Sequence, residues 1–345
     1  MLLFHNDYNE TCHRAVMDKV AAYSSVQMPG YGLDESCENA AALIKKACGR
    51  EDVAVHFLVG GTQTNLTVIA AALRPHQAVL CSHSGHINVH ETGSIEATGH
   101  KIVPVPSGDG KLTAQQVEEY VYAQRCDESA EHTAQIKMVY ISQSTELGTL
   151  YTLSELEAIS AVCKKYGLYL FVDGARLGYA LTATGNDVTL KDLARLCDVF
   201  YIGGTKCGAM FGEAVVISNN VIGEDFRYLI KQHGAMLAKG WLLGAQFEAL
   251  FENGLYFEIT AHANRLADQL RGTLEELGYP LLIQGQSNQV FPILPNELLQ
   301  KLSEHCTFMV QEAVDGSHKA VRFCTSWATT QQSMDTLCTL LRAYS

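Results

Sequence analysis

The sequence predicts an α/β protein with a mostly parallel central sheet flanked by helices and a smaller α+β domain at its C-terminal end. Three observations support this. Apolar runs such as Tyr169-Leu-Phe-Val-Asp173 and Asp198-Val-Phe-Tyr-Ile-Gly203 have the length and composition of strands buried on both faces. The stretches between such runs carry helix caps and helical periodicity. Beyond about residue 250 this alternation gives way to a long helix and then to strand, helix, strand, strand, helix. The chain is therefore divided into an arm at residues 1–14 that packs with the small domain, a large α/β domain at 15–250 and a small α+β domain at 251–345.

Taken in order, Ala15–Tyr23 is a short helix, and Gln27–Asp34 is a loop marked by Pro29, Gly30 and Gly32. Ser36–Cys48 is an Ala-rich helix closed by Gly49. Val53–Val59 is a strand, after which Gly60-Gly61-Thr62-Gln63-Thr64-Asn65 turns the chain into an apolar helix ending near Leu73. Ala78–Cys81 is a strand, and Ser82–Glu91 begins another helix. Lys101–Pro106 is a strand, and Thr113–Gln116 is a capping box for a helix to about Arg125. The polar stretch Asp127–Gln135 is expected at the surface. Lys137–Ser142 is a strand followed by the loop Gln143–Gly148, and Thr152–Glu155 caps a helix that stops at Gly167. The strands ending at Asp173 and Gly203 follow, then a strand at Glu213–Ser218. Glu224–Gly278 is almost entirely helical, with an amphipathic stretch from about Tyr256 to Leu277. The small domain reads as strand Val290–Leu294, helix Asn296–His305, strands Phe308–Glu312 and Ala320–Thr325, and helix Gln331–Tyr344.

Composition sets bounds on function. The chain has 345 residues, 47% hydrophobic and 18% charged, as soluble globular proteins do. A formal charge of −12 argues against nucleic acid as the main partner, since phosphate backbones require a basic face. No run has the length of a membrane span, and the segment Met1–Asp7 lacks the basic and apolar regions of a signal peptide. Eleven cysteines, scattered without paired spacing, fit free thiols in a reducing cytoplasm better than a disulfide framework.

Chemistry concentrates at two strand ends. The first runs into Asp173-Gly-Ala-Arg176 and the second into Gly203-Gly-Thr205-Lys206. Carboxyl ends of strands in an open α/β sheet face the ligand crevice, so Asp173, Arg176 and Lys206 are expected to meet there. Pyridoxal phosphate uses such a set, with a lysine amine for a Schiff base and a carboxylate to keep its ring nitrogen protonated. The plainer alternative is a structural ion pair beside a surface lysine. The Gly60–Asn65 turn offers glycines, free helix-start N–H groups and the Thr62 and Gln63 side chains to a phosphate, or is an ordinary N-cap turn. Its spacing matches neither a dinucleotide fingerprint nor a Walker loop. His83, His86 and His90 suggest zinc by spacing but lack a companion motif, so no metal is assigned. His86 stacking on a planar cofactor is the sharper reading.

Together these motifs resemble the low-specificity threonine aldolase and β-eliminating lyase group of fold-type I pyridoxal-phosphate enzymes. The resemblance covers nearly the whole chain and rests on Asn6-Asp7, Pro29-Gly-Tyr31-Gly32, Gly61-Thr-Gln-Thr-Asn65, His86, Asp173-Gly-Ala-Arg176, Thr205-Lys206 and Val321-Arg322. It implies that Lys206 carries the cofactor, that Asp173 faces the ring nitrogen, and that Arg176 lies near Asp173 or the ring hydroxyl. Gly61, Thr62, Gln63 and Thr205 are the remaining cofactor-binding candidates, and His86 stacks on the ring or acts as a base. Arg322 would clamp the substrate carboxylate, with Asn6 and Tyr31 as further substrate-binding candidates. The Tyr31 loop would reach a neighbouring subunit, giving a homodimer or homotetramer.

The group usually has serine at the position of Asn6, threonine at that of Tyr8, and a histidine meeting the substrate hydroxyl at that of Glu146. Glu146 is therefore the candidate base here. The implied reaction is Cα–Cβ cleavage of a β-hydroxy-α-amino acid, threonine to glycine and acetaldehyde. β-Elimination or transamination on the same fold is the alternative. A non-catalytic nucleotide-binding α/β protein is the alternative from another class.

Overall fold

The computed structural model describes residues 1–345. The arm holds β1 (Leu2–Leu3), followed by α1 (Arg14–Tyr23) and α2 (Glu35–Cys48). Next come β2 (Ala54–Leu58), α3 (Gly61–Ala72), β3 (Gln77–Ser82), α4 (His86–Val89), α5 (Ser94–Ala97) and β4 (Lys101–Val105). They are followed by α6 (Ala114–Cys126), β5 (Gln135–Ser142), α7 (Leu153–Tyr166) and β6 (Tyr169–Asp173). After α8 (Leu177–Leu181) and α9 (Leu190–Leu196) the chain forms β7 (Val199–Gly203) and β8 (Glu213–Ile217). Helices α10 (Asn220–Gly223), α11 (Phe226–Gln232), α12 (Trp241–Glu252) and α13 (Leu255–Glu276) lead to β9 (Gln289–Val290) and β10 (Ile293–Pro295). The chain ends with α14 (Asn296–Ser303), β11 (Cys306–Thr307), β12 (Met309–Ala313), β13 (His318–Cys324) and α15 (Gln331–Tyr344). No helix is long and apolar enough to cross a membrane.

Seven strands form the main sheet in the order β2-β8-β7-β6-β5-β3-β4. Only β8 runs against its neighbours; β7, β6, β5, β3 and β4 pair in parallel. Alternate side chains enter two cores. Val139, Val172 and Phe200 pack on one face, and Met138, Phe171 and Tyr201 on the other. Burial on both faces explains why these strands read as unbroken apolar runs.

A smaller antiparallel sheet, β10-β13-β12 with β9 also on β13, covers a third core that contains Leu270, Phe323 and Leu337. Helix α13 belongs to two cores. Its Tyr256, Ile259 and Ala263 pack against the main sheet, while Leu266, Leu270 and Leu274 enter the third core. The arm joins the same region, with β1 paired to β11 and Phe4 buried in the third core.

Two elements differ from expectation. The helix at Ser82–Glu91 is a single turn, His86–Val89, because Thr92 and Gly93 both adopt positive φ and redirect the chain. The strand at Val290–Leu294 splits around Phe291-Pro292, where proline removes the ladder donor.

The turns after β6 and β7 meet backbone to backbone. Gly203 N donates to the Gly174 carbonyl at 2.9 Å. A Cβ on Gly174 would lie 1.7 Å from the Tyr201 carbonyl oxygen, and one on Gly203 would lie 2.4 Å from that of Ala175. Only main chain without side chains allows this approach. Gly174→Ala is therefore expected to lower stability by about 3 kcal/mol or more, above the usual cost of overpacking. A denaturant midpoint within error of the parent would refute this.

Candidate active site

The carboxyl edge of the main sheet gathers the chemically active residues. β6 ends in Asp173, β7 runs through Gly203 to Thr205 and Lys206, β2 leads through Gly60 into α3, and β3 leads to His86. A cavity of about 220 Å³ lies there, with Gly61, Thr62, His86, Asp173, Thr205 and Lys206 in its wall. An adjoining space of about 610 Å³ shares His86, Glu146, Arg176 and Lys206 and adds His90 and Arg322. Asp173 and Lys206 thus face one compartment, as ligand crevices in this architecture require.

Burial pushes the Lys206 amine below its ordinary value. Arg176 adds to this, and Asp7, Asp173 and Glu213 oppose it. The Tyr179 hydroxyl donates to the Lys206 carbonyl at 2.6 Å and holds the loop in place.

Asp173 keeps its charge in a buried setting. Its Oδ2 accepts from Asn65 Nδ2 at 3.0 Å and from the Tyr140 hydroxyl, and its Oδ1 accepts from Ala175 N at 2.9 Å. Burial raises the carboxyl, but His86 and the Tyr140 hydrogen bond outweigh burial and hold it below the ordinary value.

Asn65 also donates to Glu91 Oε1 at 2.7 Å. The same oxygen accepts from His86 Nδ1 at 2.7 Å, and Glu91 Oε2 accepts from Ser94 Oγ at 2.8 Å. Glu91 therefore fixes the His86 ring and leaves Nε2 as its free nitrogen. His90 lies beside it with ring centroids 5.6 Å apart, and no group of three or more His, Cys, Asp or Glu is placed to hold a metal ion.

Glu146 sits over the start of α4. Its Oε1 accepts from His86 N at 2.9 Å and from Ser142 Oγ at 2.7 Å. Burial pushes this carboxyl above its ordinary value, against the Ser142 hydrogen bond. Arg322 donates to the His5 carbonyl at 3.0 Å and to Gln289 Oε1 at 3.3 Å, while its buried Nε has no partner.

Other expected residues lie elsewhere or are already engaged. Arg176 does not pair with Asp173. Its guanidinium makes a two-pronged bridge to Asp7 of the arm, at 2.8 and 2.9 Å, and Asn288 Nδ2 adds a bond to Asp7 at 2.9 Å. Burial opposes both charges, yet each partner stabilises the other, with Arg176 raised and Asp7 lowered. The Gln63 side chain is not a free donor, because its amide bonds to the His233 carbonyl at 3.3 Å and its oxygen accepts from Val59 N. Asn6 Oδ1 accepts from Tyr8 N at 2.9 Å, and Tyr8, not Asn6, lines both spaces. Tyr31 lies on a separate groove with Cys37, Arg227 and Met236.

Six participants had no assigned role from sequence: Asp7, Asn65, Glu91, Tyr140, Tyr201 and Glu213. Asp7 was visible within a motif. Glu213 carried one faint signal, a carboxylate opening an apolar strand.

A phosphate-bearing aldehyde fits these residues. The first turn of α3 leaves the N–H groups of Gly61, Thr62 and Gln63 without intrahelical partners. The fully buried Tyr201 hydroxyl lies beside the Asp173 carboxylate and 3.2 Å from where a Cβ on Gly61 would be. Lys206 supplies an amine of lowered basicity in the same cavity.

The sequence profile of the β-eliminating lyase family matches residues 10–296. A low-specificity L-threonine aldolase from a Pseudomonas species is 33% identical over 91% of this chain and 89% of its own. The Saccharomyces cerevisiae low-specificity L-threonine aldolase is 27% identical over 81% of this chain and 71% of its own. Among solved structures, a Leishmania major threonine aldolase superposes with a TM-score of 0.97, 47% identity and 99% coverage of both chains. An aspartate aminotransferase from Thermus thermophilus, at TM-score 0.72 and 17% identity over 100% of this chain and 92% of its own, shares the fold.

The Asp7–Arg176 bridge gives a direct test of the site's construction. Asp7→Ala leaves the buried guanidinium without its carboxylate and is expected to cost about 3–5 kcal/mol. Urea denaturation measures the loss, and a change well below 1 kcal/mol would show that the bridge behaves as a solvated surface pair.

Proposed function

The chain belongs to the β-eliminating lyase family, and on that premise we propose that it is a pyridoxal-phosphate-dependent aldehyde-lyase. It cleaves the Cα–Cβ bond of β-hydroxy-α-amino acids, converting threonine or allo-threonine to glycine and acetaldehyde. The single observation that carries this reading is the shared cavity of Lys206 and Asp173, with Glu146 and Arg322 on the adjoining space. Relatives that carry the threonine aldolase name across most of their length support the substrate class.

When bound, pyridoxal phosphate supplies an aldehyde for an amine and a cationic ring that accepts an electron pair. Lys206 is the amine that holds it, and its lowered basicity favours the uncharged, nucleophilic form. Asp173 supplies the anion for the ring nitrogen. Asn65, Tyr140 and Ala175 keep that carboxylate ionised. The α3 N-terminus, Thr62 and Thr205 would hold the cofactor's phosphate. His86, locked by Glu91, presents a flat ring to the cavity.

Arg322, in the wall of the adjoining space, receives the substrate carboxylate through its guanidinium. Glu146 takes the proton of the β-hydroxyl. A carboxylate destabilised by burial is a stronger base than one in water, which suits this role. The working unit is a homodimer or homotetramer. Tyr31, 46% exposed and strained at φ 65°, lies outside its own chain's cavity, which supports a role in a neighbouring subunit. All eleven cysteines are unpaired, in keeping with a cytoplasmic enzyme.

The test is incubation with L-threonine and L-allo-threonine without a keto acid, with glycine and acetaldehyde assayed directly. Release of both products is expected, and glycine formation only when a keto acid is added would point to transamination instead. Arg322→Ala is expected to raise KM for the amino acid by roughly 10- to 100-fold, the scale of a lost charged hydrogen-bonded pair, with cofactor absorbance retained. Loss of the cofactor band in that variant would contradict the assignment.

A further inference from the structure

Glu213 is a buried carboxyl in the cofactor cavity that the reaction above does not use. It opens β8, opposite Leu58 of β2 and Gly203 of β7, and is 3% exposed. Its Oε2 accepts from Gly204 N at 3.0 Å. It lines the cavity together with Gly61, Thr62, Tyr201 and Thr205.

Two observations identify the anion-binding end of that cavity. One is the set of free N–H groups at the start of the twelve-residue helix α3. The other is the fully buried Tyr201 hydroxyl, which reaches Asp173 on one side and lies 3.2 Å from where a Cβ on Gly61 would be on the other. Of the cations in this wall, Arg176 is neutralised by Asp7, which leaves the Lys206 amine as the charge that faces Glu213, while Arg322 borders the adjoining space. An ionised Glu213 would therefore place a second negative charge beside a phosphate, with the Lys206 amine to offset both.

We propose that Glu213 is the acid of the phosphate site, protonated when the cofactor is bound and donating its O–H to the phosphate. The inference rests on the pyridoxal-phosphate reading above. Neutral carboxyls kept in that state by an apolar site serve as donors elsewhere in enzyme chemistry.

The groups facing Glu213 come from several elements. Lys206 and Cys207 lie on the loop after β7, Asp173 on β6, Tyr201 on β7 and Tyr256 on α13. On β2, His56 stands opposite Val215, two positions along β8. Helix α3 brings no titratable side chain. Burial pushes the Glu213 carboxyl up to about 8; Thr205, Lys206 and Gly204 oppose the shift and Asp173 adds to it. The acid is thus neutral at neutral pH and ionises as pH rises through that value.

The consequence is a cofactor affinity that falls in alkali through the phosphate alone. The holoenzyme is dialysed at a series of pH values, and retained pyridoxal phosphate is read by absorbance. A parallel series uses protein reconstituted with pyridoxal, which has the same ring and aldehyde but no phosphate. For the parent protein, the affinity advantage of pyridoxal phosphate over pyridoxal is expected to shrink by up to roughly tenfold per pH unit above the Glu213 transition. In Glu213→Gln, a permanent neutral donor of the same shape, that advantage is expected to stay flat.

Equal pH profiles for the two compounds in the parent protein would overturn the proposal without reference to any variant. A Glu213→Gln profile that still bends with pH would do the same. If the parent protein binds neither compound, the cofactor reading itself fails, and this inference falls with it.

Discussion

The contact between the turns at Gly174 and Gly203 is the constraint on which the site depends. Two adjacent parallel strands end here, and their main chains cross at distances that leave no room for a Cβ. Asp173 precedes the first turn by one residue, and Lys206 follows the second by three. The separation of carboxylate and amine is thus set by backbone packing, which varies little, and not by the reach of flexible side chains. Tyr179 and Tyr256 reinforce the crossing from behind by donating to the carbonyls of Lys206 and Gly203. A rigid scaffold of this kind supplies the preorganisation that a reacting pair requires.

Around that crossing, burial makes every charge consequential. Low polarity magnifies both attraction and unpaired cost, so each ionised group has a defined partner. Arg176 is neutralised by Asp7, which ties the arm to the main sheet, and Asn288 binds the same carboxylate from the C-terminal region. Asp173 and Glu91 share Asn65 as a donor, which joins Asp173 to the His86 ring that Glu91 holds. Lys206, Glu146 and Glu213 have less complete pairing, and these are the groups whose protonation is shifted towards the neutral form. Well-paired charges therefore build the framework, while poorly paired ones remain available for proton transfer.

Much of this was legible in sequence because it depends on local pattern. Strand ends at Asp173 and Gly203, capping boxes at Thr113 and Thr152, and left-handed glycines at 49 and 167 all act over a few residues. Roles that depend on distant partners were not legible. Gln63 had the right position for a phosphate donor, yet its amide is engaged by His233, some 170 residues away. Arg176 was expected near Asp173 and shares its cavity wall, but its charge is claimed by a residue of the arm, 169 positions distant. Asn6 turned out to cap its own loop, and its neighbour Tyr8 faces the cavity.

The sequence by itself determined the order of elements, the parallel sheet and the presence of a lysine and an aspartate at adjacent strand ends. Periodicity and turn chemistry are properties of short segments, and short segments are what a chain states openly. Tertiary structure alone decided which charges are paired. It gave Asp7 to Arg176 and Glu91 to His86, and set Glu213, buried, in the same cavity wall as Lys206. Pairing depends on where folding brings side chains such as Asp7 and Arg176, 169 positions apart, and on how far it removes them from water. No reading of neighbours along the chain contains that information.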